Sequence, residues 1–269
     1  MASAPELPVG VRLIFQAAEE LMPGGAIDAI AAGALTGVSR IFALHCDPHL
    51  AVGRVAVKAG PITSAADHIE VTLRSPGGHT SRPHLTSDLV YGLGTLIPGV
   101  PGVLSRRIDP RHSTVMVWGA VNAGVAANAI PQIGTLAGTL RTASRETWLT
   151  LEDIVRETIS SLLAPLGIEH MLQYERGVPP VVNEEVSTRI ITHAVEAIGP
   201  EVLADTLQSG GGEDFSWYLE EVPGAMARLG TWSGHGPQLD LHQPTFDLDE
   251  RALGVGVRLL VNLIDNALL

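Results

Sequence analysis

Two strand patterns occur in this chain, and they do not belong to one sheet. Val11-Arg-Leu-Ile-Phe15 is a short apolar run bounded by Gly10 and by Gln16-Ala-Ala-Glu-Glu20, the form of a strand covered on both faces, as in a parallel sheet. From Asp67, Ile69, Val71 and Leu73 alternate with Glu70, Thr72 and Arg74, the form of a strand with one buried face. The switch predicts an α/β part into which a different, α+β layer is inserted.

The flanking patterns extend both parts. Gly24-Gly25 opens a segment with Ile27, Ile30, Ala31 and Ala34 at helical spacing, and Ser39–Leu44 reads as a second strand that ends at His45. Strand, helix, strand is the unit that builds parallel sheets and puts ligand sites at strand C-termini, where Glu19, Glu20 and His45 would fall. After Asp67 the sequence predicts a helix capped by Ser87 with Leu89, Leu93, Leu96 and Ile97 on its face, and strands within Thr114–Val121 and Ile133–Arg141. A helix carrying Trp148, Leu151, Ile154 and Leu162 and a strand over Met171–Tyr174 follow. That order, βαββαβ, is the ferredoxin-like arrangement. Arg176-Gly-Val-Pro-Pro180 supplies a return linker, Asn183 with Glu184 and Glu185 behind it starts a helix, and Asp249–Leu269 closes the chain. In this last helix Leu253, Val257, Leu260, Ile264 and Leu268 form one apolar stripe. The expected boundaries are 1–64 and 178–269 for the first domain and 65–177 for the inserted one.

Composition narrows the partners. Seventeen basic against 29 acidic residues leave a net charge of −12, a field that repels phosphate backbones and anionic membranes, so neither nucleic acid nor a membrane is expected as a partner. Cys46 is the one cysteine, which excludes an intrachain disulfide and favours a reducing, cytoplasmic setting. The opening Met-Ala-Ser-Ala-Pro-Glu has neither the basic nor the apolar region of a secretory signal. Ser113–Leu140 contains no Asp, Glu, Lys or Arg and is long enough to span a bilayer, but Asn122, Asn128, Pro131, Gln132 and several glycines interrupt it. It reads as strands around a turn.

Four clusters carry groups with chemistry: Phe15-Gln-Ala-Ala-Glu-Glu20, Leu44-His-Cys-Asp-Pro48, Gly77-Gly-His79, and Gly210-Gly-Gly-Glu-Asp-Phe215 with Leu241-His-Gln-Pro-Thr-Phe246. Taken singly, each has a plain structural reading. Adjacent carboxylates usually sit in solvent, and a histidine ending an apolar strand is usually a hydrogen-bonded structural residue. Arg141 can be an exposed strand-end charge and Asn128 a turn residue. The triple glycine lacks both the GxGxxG spacing and a P-loop lysine, which argues against nucleotide binding.

In order and spacing, the segments FQAAEE (15–20), LHCDP (44–48), GGHTSRPH (77–84), NAIP (128–131), GTLR (138–141), RGVPPVVN (176–183), GGEDFSWY (211–218) and LHQPTFDLDE (241–250) resemble the aminoacylase and carboxypeptidase G-like metallopeptidases. Within that family they resemble the amidohydrolase branch of hippurate and indole-acetyl amino acid hydrolases. Ala17 stands where the family usually has proline. The resemblance implies a parallel-sheet α/β metallopeptidase catalytic domain with an inserted ferredoxin-like lid that dimerises. It implies hydrolysis of an N-acyl amino acid or similar small amide by metal-activated water, with two divalent ions per complete site (zinc, manganese or cobalt). Carried over by position, Glu20, His45 and His242 resemble metal ligands and Glu19 the general base. One carboxylate must neutralise the cation while its neighbour stays free to accept a proton. His79, Asn128 and Arg141 match positions that meet the substrate: a donor for the developing oxyanion, and a guanidinium fork for a carboxylate. Glu213 and Asp214 match residues that shape the site from behind.

The family's cysteine ligand lies in a Cys-Gly-His-Asp motif upstream of the FQ-AEE segment, and that motif is not in this sequence. Cys46, next to His45, reads instead as a buried small hydrophobe. The chain is therefore expected to be an N-terminally truncated member, and the alternative reading is a non-catalytic remnant or interaction protein that keeps the lid.

Overall fold

The computed structural model describes residue 7 and residues 10–266; the Met1–Glu6 opening and Leu268 of the expected apolar stripe lie outside them. Helix α1 (Ala26–Ala31) precedes β1 (Ile41–Ala51), β2 (Val55–Ala56), β3 (Gly60–Pro61), β4 (Ala65–Arg74) and β5 (Gly78–His79). Then come α2 (Leu89–Arg107), β6 (Val115–Ala123), β7 (Ala129–Ile130), β8 (Ile133–Thr142), α3 (Arg145–Leu163), β9 (Glu169–Val178) and β10 (Val182–Asn183). The chain closes with α4 (Glu185–Glu196), β11 (Leu203–Ala204), α5 (Phe215–Glu221), β12 (Gly224–Trp232) and α6 (Arg251–Asn266). Two units form: one takes the chain up to Ile62, Val181–Ser209 and the chain from Asp214 on, the other Thr63–Pro180 with Gly210–Glu213. Among the described residues, no helix is long and apolar enough to cross a membrane.

The first unit is built on a four-stranded sheet in the order β1-β12-β2-β11. β1 pairs with β12 and β2 with β11 in parallel, but β12 and β2 run antiparallel, so the sheet is mixed and not parallel as expected. β12 is covered on both faces because its side chains alternate between two cores. Ala225 and Ala227 meet Val55, Ile191 and Leu259, whereas Met226 meets Ala26, Ile62, Phe215 and Tyr218.

Several local expectations for this unit need correction. Val11–Phe15 is not a strand: it pairs with no other segment among the described residues, Leu13 is 73% and Phe15 92% exposed, and Arg12 ties the run to the carbonyls of Ala34 and Thr36. An extended run without a neighbouring strand has no ladder to satisfy its backbone. β1 does not end at His45 but continues to Ala51, with His45 in register with Arg228. Asn183 does not start α4; it sits in β10, where its side-chain amide donates to Lys58 O and Met226 O and accepts from Met226 N. Glu184 caps the helix by accepting from the Val186 and Ser187 amides. On α6 the buried face is Ala252, Val255, Gly256, Leu259 and Leu263, while Leu253, Val257 and Leu260 are exposed. The helix is apolar on more than one side, so periodicity alone chose the wrong face.

The second unit is an antiparallel sheet in the order β6-β8-β4-β9. Its four sheet strands and two long helices follow the order βαββαβ, with the core formed between the sheet and helices α2 and α3. Ile69, Val71 and Leu73 of β4, Leu136 and Leu140 of β8, Leu89, Leu93 and Leu96 of α2 and Leu151, Val155 and Ile159 of α3 pack together. The α2 cap is Asp88, whose carboxylate accepts from the Tyr91 amide, while the expected cap Ser87 donates to Gly167 O. Ile97 is on the exposed side of α2, Ile154 and Leu162 are only partly buried, and β9 is longer than the expected Met171–Tyr174. At the end of this sheet the carboxylate of Asp67, 2% exposed, accepts from Trp148 Nε1 (2.9 Å), Tyr174 Oη (2.6 Å) and the Gly177 amide (3.0 Å). Burial and the Asp67 charge push the Tyr174 hydroxyl well above its ordinary pKa.

Candidate active site

In the first unit, Glu19 and Glu20 lie not at a strand end but in a turn that follows Ala18, whose φ of 60° is in the left-handed region. Glu20 is exposed and its Oε2 lies 3.7 Å from Nδ1 of His242, also an exposed residue with positive φ. Residues from the two ends of the chain are thus brought together. His45 is half-buried on β1, its Nδ1 2.8 Å from the carbonyl of Cys46. Among the described residues, Glu20, His45 and His242 do not form a group whose ligand atoms all lie within 4.8 Å of one another; the structure brings Glu20 and His242 together and does not join His45 to them in one such group. A carboxylate and an imidazole at that separation suit a borderline divalent cation, but as two ligands and not the three of a catalytic zinc site. Cys46 is only half-buried, and burial raises its thiol pKa.

Behind the turn stands Asp214, 1% exposed. Its Oδ2 accepts from Gln16 Nε2 at 2.6 Å and from the Ala26 amide at 3.1 Å, and a carboxylate oxygen of Glu19 approaches its own to within 4.8 Å. Burial pushes the Asp214 carboxyl up, partly countered by the bonds from Ala26, Gln16 and Gly25. Gln16, Gly24 and Trp217 are residues of this arrangement that sequence reasoning did not single out. The clue was the Gly24-Gly25 pair, which marked a turn without showing what approaches it.

In the second unit, His79 and Asn128 are neighbours. β5 pairs with β7, setting His79 opposite Ala129, and the Thr80 amide donates to Asn128 O at 3.2 Å. Both side chains are exposed, and His79 Nδ1 accepts from the Ser81 amide at 3.1 Å. Gly77, at φ 74°, is needed by the protein's own packing, because a Cβ there would stand 2.9 Å from Gln132 Cγ. Arg141 is half-buried on β8 and donates to the carbonyl of Gly210. Glu213 is buried at the end of the Gly210–Glu213 segment.

The model of peptidase family M20/M25/M40 matches residues 1–266. A Rhodococcus jostii (strain RHA1) protein named as a glutamate–cysteine ligase 2-3 is 58% identical over 257 residues, 95% of this chain and 32% of that protein. N-acetyl-L-cysteine deacetylase of Bacillus subtilis (strain 168) is 33% identical over 243 residues, 90% of this chain and 57% of the relative. Among solved structures, the Bacillus subtilis YXEP protein, described as a dinuclear metal-binding peptidase, superimposes with a TM-score of 0.77 at 30% identity, covering 93% of this chain and 63% of that one. The chain thus spans about three fifths of the length of these two Bacillus relatives.

Proposed function

Because the chain belongs to the peptidase M20/M25/M40 family, we propose that it forms part of a metal-dependent amidohydrolase that cleaves an N-acyl amino acid or similar small amide in the cytoplasm. The observation that carries this reading is the 3.7 Å approach of His242 to Glu20, next in sequence to Glu19. It is supported by the deacetylase named among the relatives. Residues 1–64 and 178–269 are assigned to the catalytic domain, and 65–177 to a ferredoxin-like lid, in keeping with the βαββαβ order.

Glu20 and His242 would hold a divalent ion, with His45 added by the family resemblance. A cation bound there would acidify water and polarise the scissile carbonyl. Glu19, next to the ligand carboxylate, takes the proton of the attacking water and returns it to the departing amine. His79 donates to the oxygen that becomes negative, while Arg141 and Asn128 orient the substrate's carboxylate and polar groups. Glu213 and Asp214 shape the site without touching substrate. The lid is assigned to homodimer formation through edge strand β6, where Val115, Val117 and Val121 are exposed.

The test is bound divalent metal and hydrolysis of a panel of N-acyl amino acids by the purified chain. Glu19→Gln is expected to retain metal and to lose turnover by at least ~100-fold, the usual scale of general-base catalysis. Substoichiometric metal and no turnover by the unaltered chain would favour the alternative, an interaction protein that keeps the lid. The exposed run around Phe15 and the place of β1 at the edge of its sheet among the described residues lend that alternative its support.

A further inference from the structure

Among the described residues no strand pairs with the turn that carries Glu19 and Glu20, yet it is held. Its beginning and its end are tied to one short helix. At the start, Gln16 Nε2 donates to Asp214 Oδ2 at 2.6 Å; at the end, the Ala26 amide donates to the same oxygen at 3.1 Å, and the Gly25 amide also bonds to the Asp214 carboxylate. Three residues further along, Trp217 Nε1 donates to Pro23 O at 3.0 Å. Gly24 passes so close that a Cβ would stand 2.1 Å from Asp214 Oδ2, and its φ of 89° disfavours any side chain. Within the segment the backbone contributes its own tight turns, Leu21 N to Ala18 O at 3.3 Å and Gly24 N to Leu21 O at 2.6 Å.

We infer that Asp214 and Trp217 are positioning residues for the Glu19–Glu20 turn, clamping Gln16 and Pro23–Ala26 onto α5 so that the two carboxylates are presented in one arrangement. The inference rests on the assignment of Glu19 and Glu20 above and deepens it. Asp214 acts through one side-chain donor, Gln16 Nε2, at the start of the segment and backbone amides at its end, and the residue is closed off from solvent. A charged acceptor with several N–H donors is a strong local tie, and it replaces the ladder that a strand would have supplied. Without the clamp, Glu20 would sample many positions relative to His242, and metal affinity and turnover would fall together.

Hydrogen exchange, Mn2+ titration and steady-state kinetics on the full chain test this. Asp214→Leu is expected to speed amide exchange in residues 16–26 by tenfold or more while β12 and α4 stay protected. It should weaken Mn2+ binding at least tenfold and lower kcat at least tenfold with KM changed less than threefold. Asp214→Asn, which keeps an acceptor oxygen, should recover most of each, and Trp217→Phe should show a smaller version of the same pattern. Should Asp214→Leu fail to fold, Gly24→Ala, which pushes the carboxylate away while keeping it, should give the same exchange signature. Unaltered exchange in 16–26 overturns the clamp; faster exchange with unaltered Mn2+ affinity and kcat overturns the positioning role. A wild-type chain that neither binds Mn2+ nor hydrolyses any N-acyl amino acid instead defeats the proposed reaction, and the exchange data then decide the clamp alone.

Discussion

His242 Nδ1 stands 3.7 Å from Glu20 Oε2, with the two side chains 71% and 73% exposed. So exposed a pair is worth roughly 0–1 kcal/mol to folding. His242→Ala is therefore expected to leave the thermal midpoint within ~2 °C of wild type while divalent-metal affinity drops tenfold or more, measured by equilibrium dialysis. Undiminished affinity would remove His242 from the ligand set.

Asp67 gathers three donors in a site closed to water. Asp67→Leu leaves the Trp148 indole, the Tyr174 hydroxyl and the Gly177 amide without their acceptor, at about 1–3 kcal/mol for each one that stays buried and unsatisfied. A loss of at least ~3 kcal/mol in urea unfolding is the expected outcome. The Tyr174 hydroxyl, relieved of the neighbouring negative charge, should also titrate at lower pH in the ultraviolet spectrum.

Glu184 gives the stability a pH dependence. Partial burial raises its pKa, but the Ser187 hydroxyl and amide, the Val186 amide and Arg40 outweigh this and hold the carboxyl at about 2, against an ordinary 4.5. The ionised group is thus favoured in the folded state. Its contribution is complete above about pH 4.5 and is lost as pH falls toward about 2. The difference in unfolding midpoint between wild type and Glu184→Gln should be largest near neutrality and shrink through that window; a difference constant with pH would count against the assignment.

Val117 lies on the exposed side of edge strand β6, between Val115 and Val121. An apolar edge of this kind is a template for pairing with a second copy, and an edge lysine blocks it. Val117→Lys is expected to shift the chain from dimer to monomer in sedimentation velocity with its circular dichroism unchanged. A wild-type chain that sediments as a monomer at tens of micromolar would end the lid-dimer assignment.

The second unit was largely legible from the sequence because its signal is local. Ile69, Val71 and Leu73 face one core in strict alternation, and Leu89, Leu93 and Leu96 recur on a helical face, so short-range periodicity already encodes which side is covered. The candidate metal pair was legible only through whole motifs, since nothing in the residues around Glu20 or His242 shows that they meet.

What the sequence by itself determined was the order βαββαβ and the places along the chain of the groups proposed for the chemistry. What only the tertiary structure decided was every feature that depends on a distant partner. Val11–Phe15 has the composition of a strand and pairs with nothing among the described residues, because a strand is completed by its neighbour's hydrogen bonds. The apolar residues of α6 could face the core in more than one way, and the sheet selected Val255, Leu259 and Leu263 over Leu253, Val257 and Leu260. The Glu19–Glu20 turn is tied not by its own sequence but by Asp214 and Trp217, reached only once the chain has folded back on itself.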